Sequence, residues 1–353
     1  MTQRIKTIHT KSLPLHWREA ISRYRHADRL KHEQWCKDNL PNVLDRYITL
    51  TTPTHDREAQ KKLLKDNLRI IEIEISAFCN RTCWFCPNSI IDRKQKIEFP
   101  ESVFLRCIDN LAEIEYEGTL NFHRFNETLA DRELILKRLR QARSKLPKAK
   151  LGIFTNGDYL TREYLDELRD AGMSYMLMSY YLKKNESFDK AKVLKPAMQK
   201  MANKLNLHYE VSIDTPREYG ITFKYPGVEY ILCRCWNPEI GGIDRGGVID
   251  QISKRESKVR DYGCHFPLES IYIDYNCLAM PCCHLRSDVE AHKDFIMGDV
   301  REMDLFELFS SPKYIATRQL LTPHTPKPGP CATCTANTNG MTLNLICKPA
   351  LCE

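Results

Sequence analysis

The sequence predicts an α/β protein of βα units around a parallel sheet, with a helical N-terminal extension and a small cysteine-bearing C-terminal unit. Two observations carry this. From residue 70 onward, strand-like and helix-like segments alternate, the pattern of parallel βα architecture. A glycine-rich stretch, WNPEIGGIDRGGV over 236–248, then separates that alternation from a second cluster of cysteines beginning at Cys264. The 353 residues suffice for one sizeable domain plus a smaller one, and 42% apolar with 28% charged residues is an ordinary globular composition.

Taken in order, residues 1–68 read as basic and helical, with Trp17, Ile21, Tyr24 and Leu30 at apolar spacing and breaks at Pro41 and Pro53. They hold no catalytic motif and are expected to be a packing extension, a lid or a partner surface. Strands are expected over 70–76, 119–123, 151–154, 174–178, 207–213 and 228–232, and helices over 101–116, 131–145, 161–171 and 188–205. The first strand is the clearest, because Ile71, Ile73 and Ile75 alternate with Glu72 and Glu74. The expected divisions are an extension over 1–68, the βα units over 69–240, a linker over 241–262 and the second cysteine-bearing unit over 263–353. In parallel α/β architectures the functional groups gather on the loops leaving the strands.

Charge and cysteine content narrow the class. No apolar run approaches the roughly 20 residues of a membrane helix, and MTQRIKTIHTK lacks a signal-like core, so a cytoplasmic protein is expected. Fifteen cysteines in such a compartment point to metal ligation rather than disulfides. The net charge of +7 is spread among acids rather than blocked into a tail; it fits a nucleic-acid partner or, more mildly, docking of an acidic electron donor of the flavodoxin or ferredoxin kind, and charge alone does not decide between them.

Cys79, Cys83 and Cys86 fall within CNRTCWFCP, directly after the first strand. Three thiolates on one loop can hold three corners of a [4Fe-4S] cube and leave one iron open; the alternative is a zinc knuckle closed by a fourth ligand. The spacing, with aromatic Phe85 before the last cysteine, resembles the signature of the radical SAM superfamily, and the six βα units resemble that family's partial (β/α)6 barrel. The resemblance implies that the open iron binds S-adenosylmethionine (SAM) and cleaves it reductively to a 5′-deoxyadenosyl radical. It further implies a SAM-facing role for Glu127 in NFHRFNETL, where Phe125 and Asn126 stand at positions that are commonly glycine. The same holds for Thr155-Asn156-Gly157 after the third strand, for Ser179 after the fourth, and for Ser212 or Asp214 after the fifth. In Leu232-Cys233-Arg234-Cys235-Trp236, strand alternation allows one of two arrangements. Either Arg234 faces inward to grip the SAM carboxylate, or Cys233 and Cys235 do so as hydrogen donors; the arginine is preferred.

In the C-terminal set, Cys264 precedes strand-like segments over 271–274 and 278–280, then Pro281-Cys282-Cys283 and finally Cys331-Ala-Thr-Cys334. This resembles the SPASM/twitch domain of radical SAM enzymes, with Cys277 at a hairpin position usually held by glycine. By position, Cys264, Cys282, Cys331 and Cys334 would ligate one auxiliary [4Fe-4S] cluster. Cys347 and Cys352 would be tail thiols or part of a second cluster, and Cys36 and Cys107 core thiols. The resemblance implies oxidation or epimerisation of a polar small molecule such as a sugar or cyclitol. The alternatives are maturation of a ribosomally made peptide and, in another class, a zinc-binding RNA-interaction protein.

Overall fold

The computed structural model describes residues 45–249, 259–323, 325–334 and 336. The expected helices before residue 45, Cys36, Cys347 and Cys352 lie outside the described residues.

Strand β1 (Ile70–Ile73) sits centrally because its two faces are chemically unlike. Ile71 and Ile73 are fully buried against the helical layer, while Glu72 turns to the opposite face, toward the interior cavity. The remaining strands are β2 (Thr119–Asn121), β3 (Lys150–Thr155), β4 (Tyr175–Ser179), β5 (Tyr209–Asp214), β6 (Glu218–Phe223), β7 (Tyr230–Trp236), β8 (Ser270–Ile273), β9 (Leu278–Met280) and β10 (Gly298–Asp299). They form one sheet in the order β10-β9-β8-β1-β2-β3-β4-β7-β6-β5. Its middle, from β8 through β1, β2, β3 and β4 to β7, is parallel throughout, giving the partial barrel.

The expected helices form close to their predicted bounds, and most begin at a side-chain cap. Helix α1 (Arg57–Asn67) is capped by Asp56, and α2 (Glu101–Glu113) starts after Pro100. Asp131 caps α3 (Arg132–Lys145) and Thr161 caps α4 (Arg162–Asp170). The last of this series, α5 (Lys195–Leu205), ends on Asn206 in the left-handed region, at φ 50°. In the C-terminal unit, α6 (Leu305–Phe309) carries a complete capping box between Asp304 and Glu307, and α7 (Pro312–Leu321) is capped by Ser311.

Two features depart from six successive parallel units. The segment expected as the fifth parallel strand, β5, instead pairs antiparallel with β6, a strand the sequence reading did not place, and β6 pairs antiparallel with β7. The cause is the short link Thr215-Pro216-Arg217. A parallel crossover needs a dozen or more residues, whereas these three can only reverse the chain. The Thr215 amide donates to Glu218 O at 2.9 Å and its hydroxyl accepts from the Glu218 amide at 3.0 Å, closing the turn. The sixth parallel strand is β8, from the C-terminal unit, in register with β1 from Ile70↔Ser270 to Ile73↔Ile273. It covers a β1 edge whose backbone groups would otherwise be unpaired.

Buried arginines tie the units together. Arg124, from the loop after β2, pairs with Asp274 beyond β8 at 2.5 Å, both side chains being 0% exposed. Arg318 of α7 donates to Leu50 O and Pro267 O, each at 2.9 Å, and lies 4.1 Å over the Phe309 ring. No described helix is long and apolar enough to cross a membrane.

Candidate functional site

The loop after β1 is pinned at several points. The Cys79 amide donates to Arg93 O at 2.8 Å and the Cys86 amide to Cys83 O at 2.9 Å. Arg81 grips Asp158 through Nε at 2.8 Å and Nη2 at 2.5 Å, and Asn80 donates to the same carboxylate at 2.8 Å. Asn156 Nδ2 donates to Asn80 Oδ1 at 2.8 Å, so the thiol loop and the Thr155-Asn156-Gly157 loop after β3 form one unit. The hydrogen bond and charge of Arg81 hold Asp158 below the usual carboxylate range.

Cys79, Cys83 and Cys86 all face a cavity of ≈ 310 Å³ at the C-terminal ends of the parallel strands. Burial pushes the Cys79 thiol up to about 11 and the Cys83 thiol up to about 12, and neighbouring thiols add to both shifts. Thiols in that state become ligands only when a cation compensates their charge. The three thiols line one open space, a donor set suited to the corners of a cluster.

The same cavity is walled by Phe85, Glu127, Thr155, Asn156, Ser179 and Arg234. Glu127 is buried, accepting from the Thr155 hydroxyl, from the Asn156 amide at 2.8 Å and from the Leu129 amide at 3.1 Å. Burial raises its pKa, and those hydrogen bonds oppose the shift. Gly157 does not line the cavity. It turns the loop at φ +77° and donates its amide to Thr155 Oγ1 at 3.0 Å, a conformation other residues rarely adopt. Phe85 packs against Tyr181 and Trp236, with ring centroids 5.1 and 5.0 Å away. Where glycines are common, the Phe125 amide donates to Glu74 at 2.8 Å and its carbonyl accepts from Asn88 at 2.8 Å, so side chains brace that loop.

Strand β7 resolves the alternation between arginine and cysteine. Arg234 and Trp236 face the cavity, whereas Cys233 and Cys235 are buried on the other face. Arg234 pairs with Glu218 at 3.0 Å through Nη1, and its buried Nε has no partner among the described residues. The two cysteines are therefore corrected from candidate hydrogen donors to core residues. Ser212 is corrected as well: on the exposed edge strand β5, its hydroxyl accepts from Thr222 at 2.8 Å, away from the cavity. Cys107 is buried in α2, as expected.

The second thiol set also converges. Cys264, Cys282, Cys331 and Cys334 surround a small pocket walled by Phe266, Pro267, Pro281 and Leu321. Burial pushes Cys282 well above the ordinary thiol range, reinforced by Cys283, Cys264 and Cys331. Arg260 donates to Cys334 Sγ at 3.3 Å. Cys277 has φ +70°, in keeping with its place where glycine is usual. The adjacent pair splits: Cys282 joins the four-thiol pocket, while Cys283 lines the larger cavity. Cys283, Glu72, His123 and Arg245 line the cavity without having been marked in the sequence. Glu72, an acid alternating with the buried Ile71 and Ile73, was the one available signal.

Two thiol sets, one of three beside a nucleotide-sized cavity and one of four in a small closed pocket, on a partial β/α barrel, define an iron–sulfur enzyme. The description "Radical SAM superfamily" matches residues 73–180, and "Iron-sulfur cluster-binding domain", the SPASM domain, matches residues 264–335. The chain belongs to the radical SAM superfamily and carries a SPASM-type iron–sulfur domain, with SAM and both a SAM-binding and an auxiliary iron–sulfur cluster as cofactors. It is 22% identical over 260 residues to an S-adenosyl-L-methionine-dependent 2-deoxy-scyllo-inosamine dehydrogenase of Niallia circulans, covering 71% of this chain and 86% of that protein. The crystal structure of BtrN in complex with AdoMet and 2-DOIA superimposes with a TM-score of 0.54 at 21% identity, covering 72% of this chain and 87% of that one. The same fold is thus present over most of both chains.

Proposed function

We propose that this chain oxidises a secondary alcohol of a polyhydroxylated small molecule of the cyclitol or sugar class. The observation that carries the reading is the split of Cys282 from Cys283. Adjacent residues thus line the cavity in which a substrate would sit and a four-thiol pocket suited to accept an electron. The likeness to an aminocyclitol dehydrogenase supports both oxidation and the substrate class. A pocket with four thiols also leaves no iron free to ligate substrate, which favours electron transfer over substrate binding there.

In this reading Cys79, Cys83 and Cys86 hold the [4Fe-4S] cluster, which supplies reductive cleavage of SAM when bound. Glu127, fixed by three donors, receives the SAM amino group. Arg234 offers its unpaired Nε to the carboxylate, a charge-assisted contact worth about 1.5–3 kcal/mol. Thr155, Asn156 and Ser179 present polar groups to the ribose, and Phe85 with Trp236 shields that end from water. Cys264, Cys282, Cys331 and Cys334 hold the auxiliary cluster. The net charge of +7 suits an acidic flavodoxin or ferredoxin as the electron donor.

The test is anaerobic incubation of the reconstituted enzyme with SAM, a low-potential reductant and a panel of cyclitols and sugars deuterated at each carbinol carbon. Deuterium in 5′-deoxyadenosine together with a ketone product is expected. An inverted alcohol with solvent hydrogen would make the enzyme an epimerase, and turnover of peptides alone would replace the substrate class.

A further inference from the structure

The cavity contains a carboxylate that neither the SAM-facing residues nor the fold employs. Glu74, just past the end of β1, shows what a structural acid looks like here: it pairs with Arg93 at 3.1 Å and accepts from the amides of Phe125 at 2.8 Å and Tyr275 at 3.1 Å. Glu72 is nearly as buried, at 8% exposure, and faces the same cavity. Among the described residues it forms no ion pair, and its carboxylate accepts one hydrogen bond, from Asn121 Nδ2 at a long 3.4 Å.

That single contact is itself braced. The Tyr175 hydroxyl donates to Asn121 Oδ1 at 2.7 Å, which fixes the amide with its NH₂ toward Glu72. Room for this pair is made by Gly152, where a Cβ would stand 2.2 Å from Asn121 Oδ1. Close by, the His123 ring stacks on Phe154 at 4.0 Å, and its buried Nδ1 has no partner among the described residues. The nearby cation Arg124 is committed elsewhere, to Asp274, Cys282 O and Leu285 O. An aimed, under-satisfied carboxylate lining the same cavity as an imidazole whose Nδ1 has no partner among the described residues is an arrangement that stability does not reward.

We propose that Glu72 is the base that takes the hydroxyl proton of the substrate alcohol, with His123 as the second polar contact orienting that hydroxyl. This rests on the oxidation reading above and adds a residue to it. Loss of a hydrogen atom to the adenosyl carbon breaks the carbinol C–H bond and forms a C–H bond of 5′-deoxyadenosine. The O–H bond then breaks, its proton forming the carboxylic acid of Glu72. The remaining electron passes to a one-electron acceptor of the iron–sulfur class, leaving the C=O double bond; Glu72 later returns its proton to water.

The acidity of Glu72 suits the task. Burial raises its pKa to about 7, with Glu74 adding to the rise and Arg124, Asn121 and Arg245 opposing it. A base poised near neutrality has its ionised form available while still favouring proton uptake. Tyr272 on β8, Tyr175 on β4 and Cys283 also face this carboxylate, and burial keeps all three protonated near neutrality. Burial lowers His123 to about 3, so it remains neutral.

The experiment uses the reconstituted holoenzyme and Glu72→Gln, with 2-deoxy-scyllo-inosamine deuterated at its carbinol carbons as the probe. The variant is expected to bind SAM normally and to form deuterated 5′-deoxyadenosine within about threefold of wild type, while ketone formation falls about 100-fold or more. Glu72→Asp should recover part of that loss, and the wild-type rise in ketone rate through about pH 7 should be absent in Glu72→Gln. Ketone formation at the wild-type rate, or an equal fall in both products, would overturn the assignment. If the wild type leaves the probe unoxidised, the cyclitol reading fails, and infrared titration of the holoenzyme decides on Glu72. A carboxyl band titrating at about pH 7 and lost in Glu72→Gln supports the base, whereas titration below about pH 5 overturns it.

Discussion

Replacing Arg124 with Met removes one partner of a fully buried ion pair and leaves Asp274 charged in the interior. Three hydrogen bonds go with it: to Asp274 Oδ1 at 2.5 Å, to Cys282 O at 3.0 Å and to Leu285 O at 2.6 Å. Breaking such a pair from one side costs about 3–5 kcal/mol. Asp274 keeps its contacts with Ser287, whose amide donates to its other oxygen at 2.6 Å, which places the expected loss near the lower end, about 3 kcal/mol. Removing the charge as well, in Arg124→Met with Asp274→Asn, should recover about 1–2 kcal/mol of this. The lost anchors flank Cys282, so the auxiliary irons should leave before the others. Urea unfolding and iron counts on anaerobically purified protein read both effects. A loss under about 1 kcal/mol with all irons retained would refute the view that this pair couples the barrel to the auxiliary pocket.

Cys83→Ala should lower iron to about four per chain and abolish 5′-deoxyadenosine formation; undiminished SAM cleavage would contradict the three-thiol assignment. Cys331→Ala should spare uncoupled SAM cleavage and lose ketone, and retained product would remove the auxiliary centre from the mechanism. Gly152→Ala forces a Cβ to within 2.2 Å of Asn121 Oδ1 and 2.4 Å of Tyr175 Cζ, an overpacking expected to cost about 1–3 kcal/mol in thermal or urea unfolding. A change under about 0.5 kcal/mol would show that the Asn121–Tyr175 pair is not held tightly. Glu72 also makes stability pH-dependent. Its folded pKa of about 7 exceeds the ordinary 4.5, so the native state retains a proton that the unfolded chain releases, and stability declines as pH rises through that window. Glu72→Gln removes that decline, its advantage over wild type growing from near zero at acid pH to about 3 kcal/mol above pH 7. An advantage independent of pH would contradict the burial argument.

Much of this was legible in the sequence because it depends on local pattern. The alternation around Ile71 and Ile73 marked β1, and the spacing of Cys79, Cys83 and Cys86 named a donor set before any fold was known. Period-two alternation reduced β7 to a choice between Arg234 and the flanking cysteines, and the structure selects the arginine. What stayed hidden depends on long-range pairing. Residues 207–213 have strand character, but only the short link through Pro216 shows that they turn back rather than cross over, which is why Ser212 was misplaced. The pairing of β8 with β1 joins positions some two hundred residues apart, and no local pattern encodes it. Glu72 was read as one half of an alternation because its function depends on what Asn121, Tyr175 and Arg124 do around it.

The central claim is that the thiols of the β1 loop hold a cluster with one iron reserved for SAM. Electron–nuclear double resonance on the reduced holoenzyme tests this directly, using SAM labelled with ¹⁵N and ¹⁷O in its amino and carboxylate groups. The account predicts hyperfine coupling of both labels to the cluster, lost in Cys83→Ala and kept in Cys331→Ala. Iron–sulfur signals with no coupling to either label, or a colourless protein holding zinc, would contradict it.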